Sequence, residues 1–160
     1  MDGDSILSAL ILLLLLFFAA YFALCETAFA SVSRIRLKTA ADRGDGRAKR
    51  AQYVTEHFDR AITTILICSN ILHLALASYV TVLVTRRWGV SAVTVGTLVT
   101  TVVVFFIGEM LPKSIAKKYS ERLSMATAGS LYFFMGLFTP FSWILTKIGN
   151  FASELSPSDP

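Results

Sequence analysis

Four long stretches of the chain are almost free of charge: 5–33, broken only by Glu26, then 61–85, 88–108 and 123–146. Each holds about 20 residues or more, enough to cross roughly 30 Å of hydrocarbon as a helix. Membrane-spanning strands are shorter and alternate in polarity, which these runs do not. Val and Thr crowd the third run, but a segment in lipid satisfies its backbone only as a helix or in a closed barrel, so it too is predicted helical. The pattern predicts an all-α membrane protein with three or four spans, the first three at about 6–33, 61–85 and 89–111.

The segments between the runs refine this. From Arg34 to Phe58 the pattern predicts two short helices about a turn at Gly44-Asp45-Gly46. The fourth run is interrupted or flanked by Pro140 and by Gly129, Gly136 and Gly149. It reads either as a span, which hydropathy slightly favours, or as an aromatic-rich helix of about 123–149 along the inner interface. Residues 151–160, rich in Ser and Pro, read as a tail or the start of a linker.

Composition supports the membrane class. Among the 160 residues, 54% are hydrophobic and only 16% are charged, and mean hydropathy is +0.62. A soluble domain needs more surface charge than this. The net charge of +4 is unevenly spread, since eight of the fifteen basic residues fall between Arg34 and Arg60. Such blocks between apolar runs set membrane topology and meet anionic lipid heads. A nucleic-acid partner is excluded, because its binding charge would line a folded soluble surface. The most basic loop belongs in the cytoplasm, which places the N-terminus outside. The acidic start, Met1-Asp2-Gly3-Asp4, fits a retained first span better than a cleaved signal. Cys25 and Cys68 lie inside apolar runs without metal-site spacing and read as small packing residues.

Two carboxylates lie within the apolar runs, Glu26 and Glu109, and such groups are functional by default because ionised acids are costly in hydrocarbon. Counted from Arg34, Arg60 and Lys113 as inner boundaries, Glu26, Asn70 and Glu109 lie roughly 12, 15 and 6 Å deep. All three thus fall in the inner half of the membrane, with Ser69, Thr27 and Ser31 as further oxygens. This donor set suits a hard cation such as Mg²⁺, Ca²⁺ or Na⁺ rather than zinc or copper. His73, one turn from Asn70, reads more readily as a packing residue than as a ligand. The Gly108–Pro112 segment predicts a loosened turn, because Pro112 has no N–H to offer the Gly108 carbonyl, leaving it free beside Glu109. The same pattern also suits a helix that simply ends before its proline. No nucleophile elbow, zinc-protease motif, P-loop or dinucleotide fingerprint occurs, so no enzymatic activity is expected.

Three motifs occur together and in order. Glu26-Thr27-Ala28 with Ser31-Val32-Ser33-Arg34 resembles a "SETA…S.SR" signature. Thr64–Asn70 resembles a "TxLxxNN" stretch, and Gly108–Lys113 a "GExxPK" motif. Over nearly its whole length the chain resembles the DUF21 transmembrane domain of the CorB/CorC/CNNM magnesium transporters. The resemblance implies a homodimer with three spans per subunit and a cytoplasmic juxtamembrane helix belt, which makes the fourth run interfacial and the C-terminus cytoplasmic. It implies residence in the plasma membrane, and an ATP-binding CBS-pair domain following the 1–150 membrane domain in the full-length protein. It also implies Mg²⁺ export driven by Na⁺ entry, with ligands at Asn70 and Glu109 and at the carbonyls of Gly108 and Leu66. Ser69 and Glu26 are candidate ligands beside them, with Ser31, Thr27 and Ala23 as additional positions. Where the family has small hydroxyl residues before its first-span glutamate, this chain has Ala23 and Cys25, so either another group such as Ser69, Ser31 or a water supplies that oxygen or the ion preference is altered. The alternative function is a membrane-embedded Mg²⁺ sensor or scaffold acting through the cytoplasmic domains. A haemolysin, a label some relatives carry, is disfavoured by the lack of a long amphipathic pore-forming segment.

Overall fold

A computed structural model describes residues 3–155, and these are helical nearly throughout. The first helix, α1 (Gly3–Ser31), is followed by two short helices, α2 (Arg34–Asp42) and α3 (Gly46–Glu56). The long α4 (Phe58–Trp88) then leads through a single 3-10 turn into α5 (Val93–Phe105). A π-helical turn at Phe106–Met110 joins α5 to α6 (Leu111–Lys118), and α7 (Ser120–Leu137) and α8 (Thr139–Leu155) complete the chain.

Three helical segments are long and apolar enough to cross a membrane: Ser5–Ser31, Phe58–Trp88 and Val90–Lys118. At 1.5 Å per residue each exceeds about 30 Å of hydrocarbon, so they tilt or extend beyond it. The third runs on to Lys118 instead of stopping near 111. Pro112 sits in the first turn of α6, where a missing N–H is tolerated, so the helix continues through it. The fourth run forms two helices bent by 70° at Phe138. The segment after 150 is helical as far as Leu155, and 156–160 lie outside the described residues.

Local chemistry accounts for the element boundaries. Ser33 caps α2 by accepting the Arg36 N–H at 3.4 Å, and Asp45 caps α3 by accepting those of Arg47 and Ala48 at 3.0 and 3.4 Å. Gly89 ends α4 at φ +87, a left-handed conformation in which a side chain would be strained. This permits the sharp return from the second span into the third.

The core lies at the basic end of the spans, where α1, α3, α4 and α7 converge. Phe22, Cys25 and Phe29 of α1 meet Ile65 and Cys68 of α4 and Leu131 and Met135 of α7. Phe22 and Phe134 pack edge to face at 5.2 Å. Cys25 and Cys68 are free and buried in this cluster, consistent with packing residues. Toward the far end the spans thin out, and Leu10, Leu13 and Phe17 of α1 are exposed, as a lipid-facing stripe requires.

α5 has no buried residue, and its close approach to α4 depends on Gly96. A Cβ there would lie 2.9 Å from a Val84 methyl. Valine is stiff at χ1 and cannot swing that methyl aside freely. Gly96→Ala is therefore expected to lower stability by about 1–3 kcal/mol, measured by thermal unfolding in micelles. Adding Val84→Ala should restore most of the loss. An unchanged single variant would mean that this contact does not hold α5 in place.

Candidate cation site

The ionisable groups of the three spans meet in two cross-helix pairs. Glu26 of α1 lies 4.0 Å from Lys113 of α6, and Glu109 of the π turn lies 3.5 Å from His73 of α4. All four side chains are half-buried. The His73 Nε2 is buried but makes no well-formed hydrogen bond, so its contact with Glu109 is electrostatic proximity rather than a directed bond.

The first pair changes the depth of Glu109. Lys113 is not where the helix of the third span ends: it lies beside Glu26, and the helix runs on through Lys117 and Lys118. Measured from Lys117, Glu109 lies roughly 12 Å deep, level with the estimate for Glu26. Pairing an acid with a cation across the helix contact is what makes either tolerable there.

The π turn supplies the local break. The Leu111 N–H reaches back to the Phe106 carbonyl, five residues away rather than four. Pro112 has no N–H at all. The carbonyls of Ile107 and Gly108 thus both lose their ordinary i+4 donors, directly beside the Glu109 carboxylate. Gly108 is buried against α1, where a Cβ would stand 3.3 Å from Leu16. Ala19 and Ala23 are also buried, and helical register puts them on the Leu16 side of α1. Small residues thus let α1 and the π turn approach closely.

On α4, Leu66, Asn70, His73, Ala77 and Thr81 fall along one stripe of the helix. Asn70 is exposed and stands one turn toward the basic end from His73, which touches Glu109. Ser69 is half-buried beside it. Leu66 lies within an unbroken α-helix, so its carbonyl already accepts the Asn70 N–H and has only a second lone pair to offer. Thr27 is buried at 9% exposure, next to Glu26. Ser31 is the exposed last residue of α1, about 7 Å along the axis from Glu26. The structure thus joins Glu109 to His73 and Glu26 to Lys113 and sets Asn70 on the His73 stripe, while Ser31 lies apart.

Between α4 and α5 is a cavity of about 360 Å³ with His73 and Glu109 in its wall. Thr81, Thr100 and Thr101 also line it. Each of these hydroxyls donates to the carbonyl four residues earlier, at 2.7–2.8 Å. Their protons are thereby used within the helices, leaving oxygen lone pairs toward the cavity. The rest of the wall is largely apolar, including Leu76, Val80, Val104 and Phe105, so the Glu109 carboxylate, helped by these few oxygens, is what favours a cation. Among the described residues no three His, Cys, Asp or Glu side chains gather at one point. A metal ion here would therefore depend on amide, hydroxyl and backbone oxygens and on water, as a hard cation does.

Sequence reasoning passed over Lys113 and Ile107 and set His73 aside. Lys113 followed a proline at the apparent helix end, which hid it as a boundary residue. Ile107 becomes available only through the i−5 bond, which no side-chain pattern reports.

Apolar spans that carry paired charges and a broken helix define a multi-pass helical membrane protein. The chain belongs to the family described as the cyclin M transmembrane N-terminal domain, which it matches over residues 10–156. It is 32% identical over 130 residues to the UPF0053 inner membrane protein YfjD of Escherichia coli, covering 81% of this chain and 30% of that protein. It is 29% identical over 136 residues to a UPF0053 protein of Haemophilus influenzae, covering 85% of this chain and 32% of that one. A polyamine export protein of Haemophilus influenzae is 27% identical over 138 residues, covering 78% and 32%. The chain thus spans about a third of the length of these relatives.

Removing one member of the Glu26–Lys113 pair strands the other. Lys113→Met alone should destabilise the protein by about 1–3 kcal/mol. The double variant Lys113→Met/Glu26→Gln should cost less than the sum of the singles, with a coupling on the order of 1 kcal/mol for these half-exposed groups. Thermal unfolding of all four proteins in lipid nanodiscs measures it, and strict additivity would show that the contact carries no energy.

Proposed function

We propose that this chain is the membrane domain of a cation exporter of the plasma membrane, moving Mg²⁺ outward in exchange for entering Na⁺. The observation that carries the reading is the π turn followed by Pro112, which together leave two carbonyls beside Glu109 without their i+4 donors, while that acid lies 3.5 Å from His73, one turn from Asn70 on α4. Mg²⁺ keeps several waters and is held by one or two carboxylates with neutral oxygens. Glu109 supplies the charge, Asn70 an amide oxygen, and Gly108 and Ile107 the carbonyls. Ser69, half-buried next to Asn70 on α4, offers a further hydroxyl, directly or through water. Glu26 is occupied by the Lys113 ammonium, so its role is to organise the cavity, and Na⁺ reaches it only if Lys113 withdraws.

The basic Arg34–Arg60 segment supports a cytoplasmic position for that end of the bundle. The N-terminus is then outside, and α7 and α8 form a belt on the inner face. A homodimer suits the uncovered α5, which has no buried residue and exposes Thr97 and Thr101. The chain's length relative to its relatives leaves room for the ATP-binding CBS-pair domain in the complete protein.

A second reading has its own support. The threonine-lined cavity is far larger than one ion, and one relative is named a polyamine export protein. A linear polyamine would place an ammonium on Glu109 and further charges along the hydroxyl oxygens.

Purified protein in liposomes loaded with Mg²⁺, with Na⁺ outside, tests the proposal. The wild type should release Mg²⁺, and Glu109→Gln or Asn70→Ala should slow release at least about tenfold. Spermidine-loaded vesicles form the parallel arm. Release of spermidine but not Mg²⁺ would favour the polyamine reading. Release of neither would leave a sensor or scaffold, and normal Mg²⁺ release by both variants would remove these residues from the path.

A further inference from the structure

We propose that the recess between α2, α3 and the α6–α7 elbow is a binding site for the phosphate headgroup of an anionic membrane lipid. It is a hollow of about 610 Å³ into which Arg36, Arg47, Lys118 and Arg122 project from four different helices. One carboxylate, Glu121, shares it and lies 3.5 Å from Arg36. Among the described residues Arg47, Lys118 and Arg122 have no carboxylate partner. Four cations against one acid, drawn together by tertiary folding rather than by sequence proximity, form a strongly anion-attracting hollow.

Its height in the bundle selects the source of the anion. Lys118 is the last residue of the third span, and Arg36 lies five residues beyond Ser31, where the first span ends. The recess therefore sits where two spans leave the hydrocarbon, at the level of lipid phosphates. Apolar surface flanks it there. Ile35, beside Arg36, is 79% exposed, and Ile115 and Tyr119 are exposed one turn before and immediately after Lys118. Lys118 Nζ lies 5.5 Å from the centre of the Tyr119 ring. Tyr119 lines the recess beside Lys118, and with the exposed Ile35 and Ile115 near it along the chain it offers acyl chains a surface to lie on while the phosphate meets the guanidinium groups. A free phosphate would use the cations but gain nothing from Ile35 or Ile115. Arg86 and Arg87 at the opposite end of the bundle provide the contrast, an equally charged pair outside this hollow.

The test is native mass spectrometry of the whole chain released from micelles containing phosphatidylglycerol or phosphatidylcholine. Phosphatidylglycerol should remain bound under conditions that strip phosphatidylcholine. Each basic residue near an anionic surface contributes about fivefold to attachment, so Arg47→Gln/Arg122→Gln should lower retention well beyond fivefold. Arg86→Gln/Arg87→Gln, with the same loss of charge, should retain the lipid as the wild type does. Inorganic phosphate at equal concentration should not displace it. Retention unchanged in Arg47→Gln/Arg122→Gln, or lowered equally in the Arg86/Arg87 variant, would overturn the site. Displacement by inorganic phosphate would overturn the lipid as its ligand. The substituted side chains are all exposed, and matching circular dichroism of the variants excludes unfolding as the cause.

Discussion

An ionisable side chain inside a membrane needs a partner, and this constraint organises the three spans. Glu26, Lys113, Glu109 and His73 come from three different spans and resolve into two contacts, at 4.0 and 3.5 Å. Neither contact exists within a single helix, so the charges require the bundle as much as the bundle accommodates them. The small residues of α1 and Gly108 follow from the same need, because a wider separation of α1 from the third span would leave Glu26 and Lys113 apart. The two pairs are not equivalent. The Lys113 side chain faces Glu26, whereas Glu109 faces an imidazole whose buried Nε2 lacks a formed hydrogen bond. Glu109 is thus the acid with capacity left for a ligand, and it is the one on the broken turn.

The π turn converts this charge arrangement into a coordination environment. An unbroken helix would present Glu109 as an isolated carboxylate with its carbonyls engaged. The extra residue at Phe106–Met110, set against Pro112, disengages two carbonyls from their usual donors and leaves the helix continuous to Lys118. Continuity matters, since it carries Lys113 to Glu26 and Lys118 and Tyr119 to the membrane boundary. The same short segment thereby connects the candidate cation site to the charged recess at the interface. The threonine back-bonds of α4 and α5 extend the acceptor surface by consuming the hydroxyl protons locally.

Much of this was legible in the residues. Charge-free runs reported the spans, and Pro112 after Gly108-Glu109 reported the break. The exposed Asn70 and the half-buried Glu26 and Glu109 are the polar exceptions to the apolar pattern, so they stood out. Lys113 was concealed because a lysine after a proline looks like a helix end, and only the tertiary fold shows the helix passing through. The bend between α7 and α8 was ambiguous for a physical reason as well: Pro140 and the glycines permit either a span or an interfacial belt, and the structure shows two helices bent by 70°, with α7 packed on α1 and α3. The basic recess had no linear signature, since Arg36 and Arg122 are far apart in the chain.

In the reading proposed here, the broken turn at Glu109, with Asn70 one turn along α4 from its neighbour His73, holds the cation. The most direct measurement is ion-replacement density for the protein in lipid, comparing Mn²⁺ as an anomalous substitute for Mg²⁺ with an ion-free preparation. An anomalous peak is expected between the Asn70 amide and the Gly108–Glu109 turn, with the π turn retained in both states. A peak elsewhere, or a regular α-helical Phe106–Met110 segment with no ion beside Glu109, would contradict it.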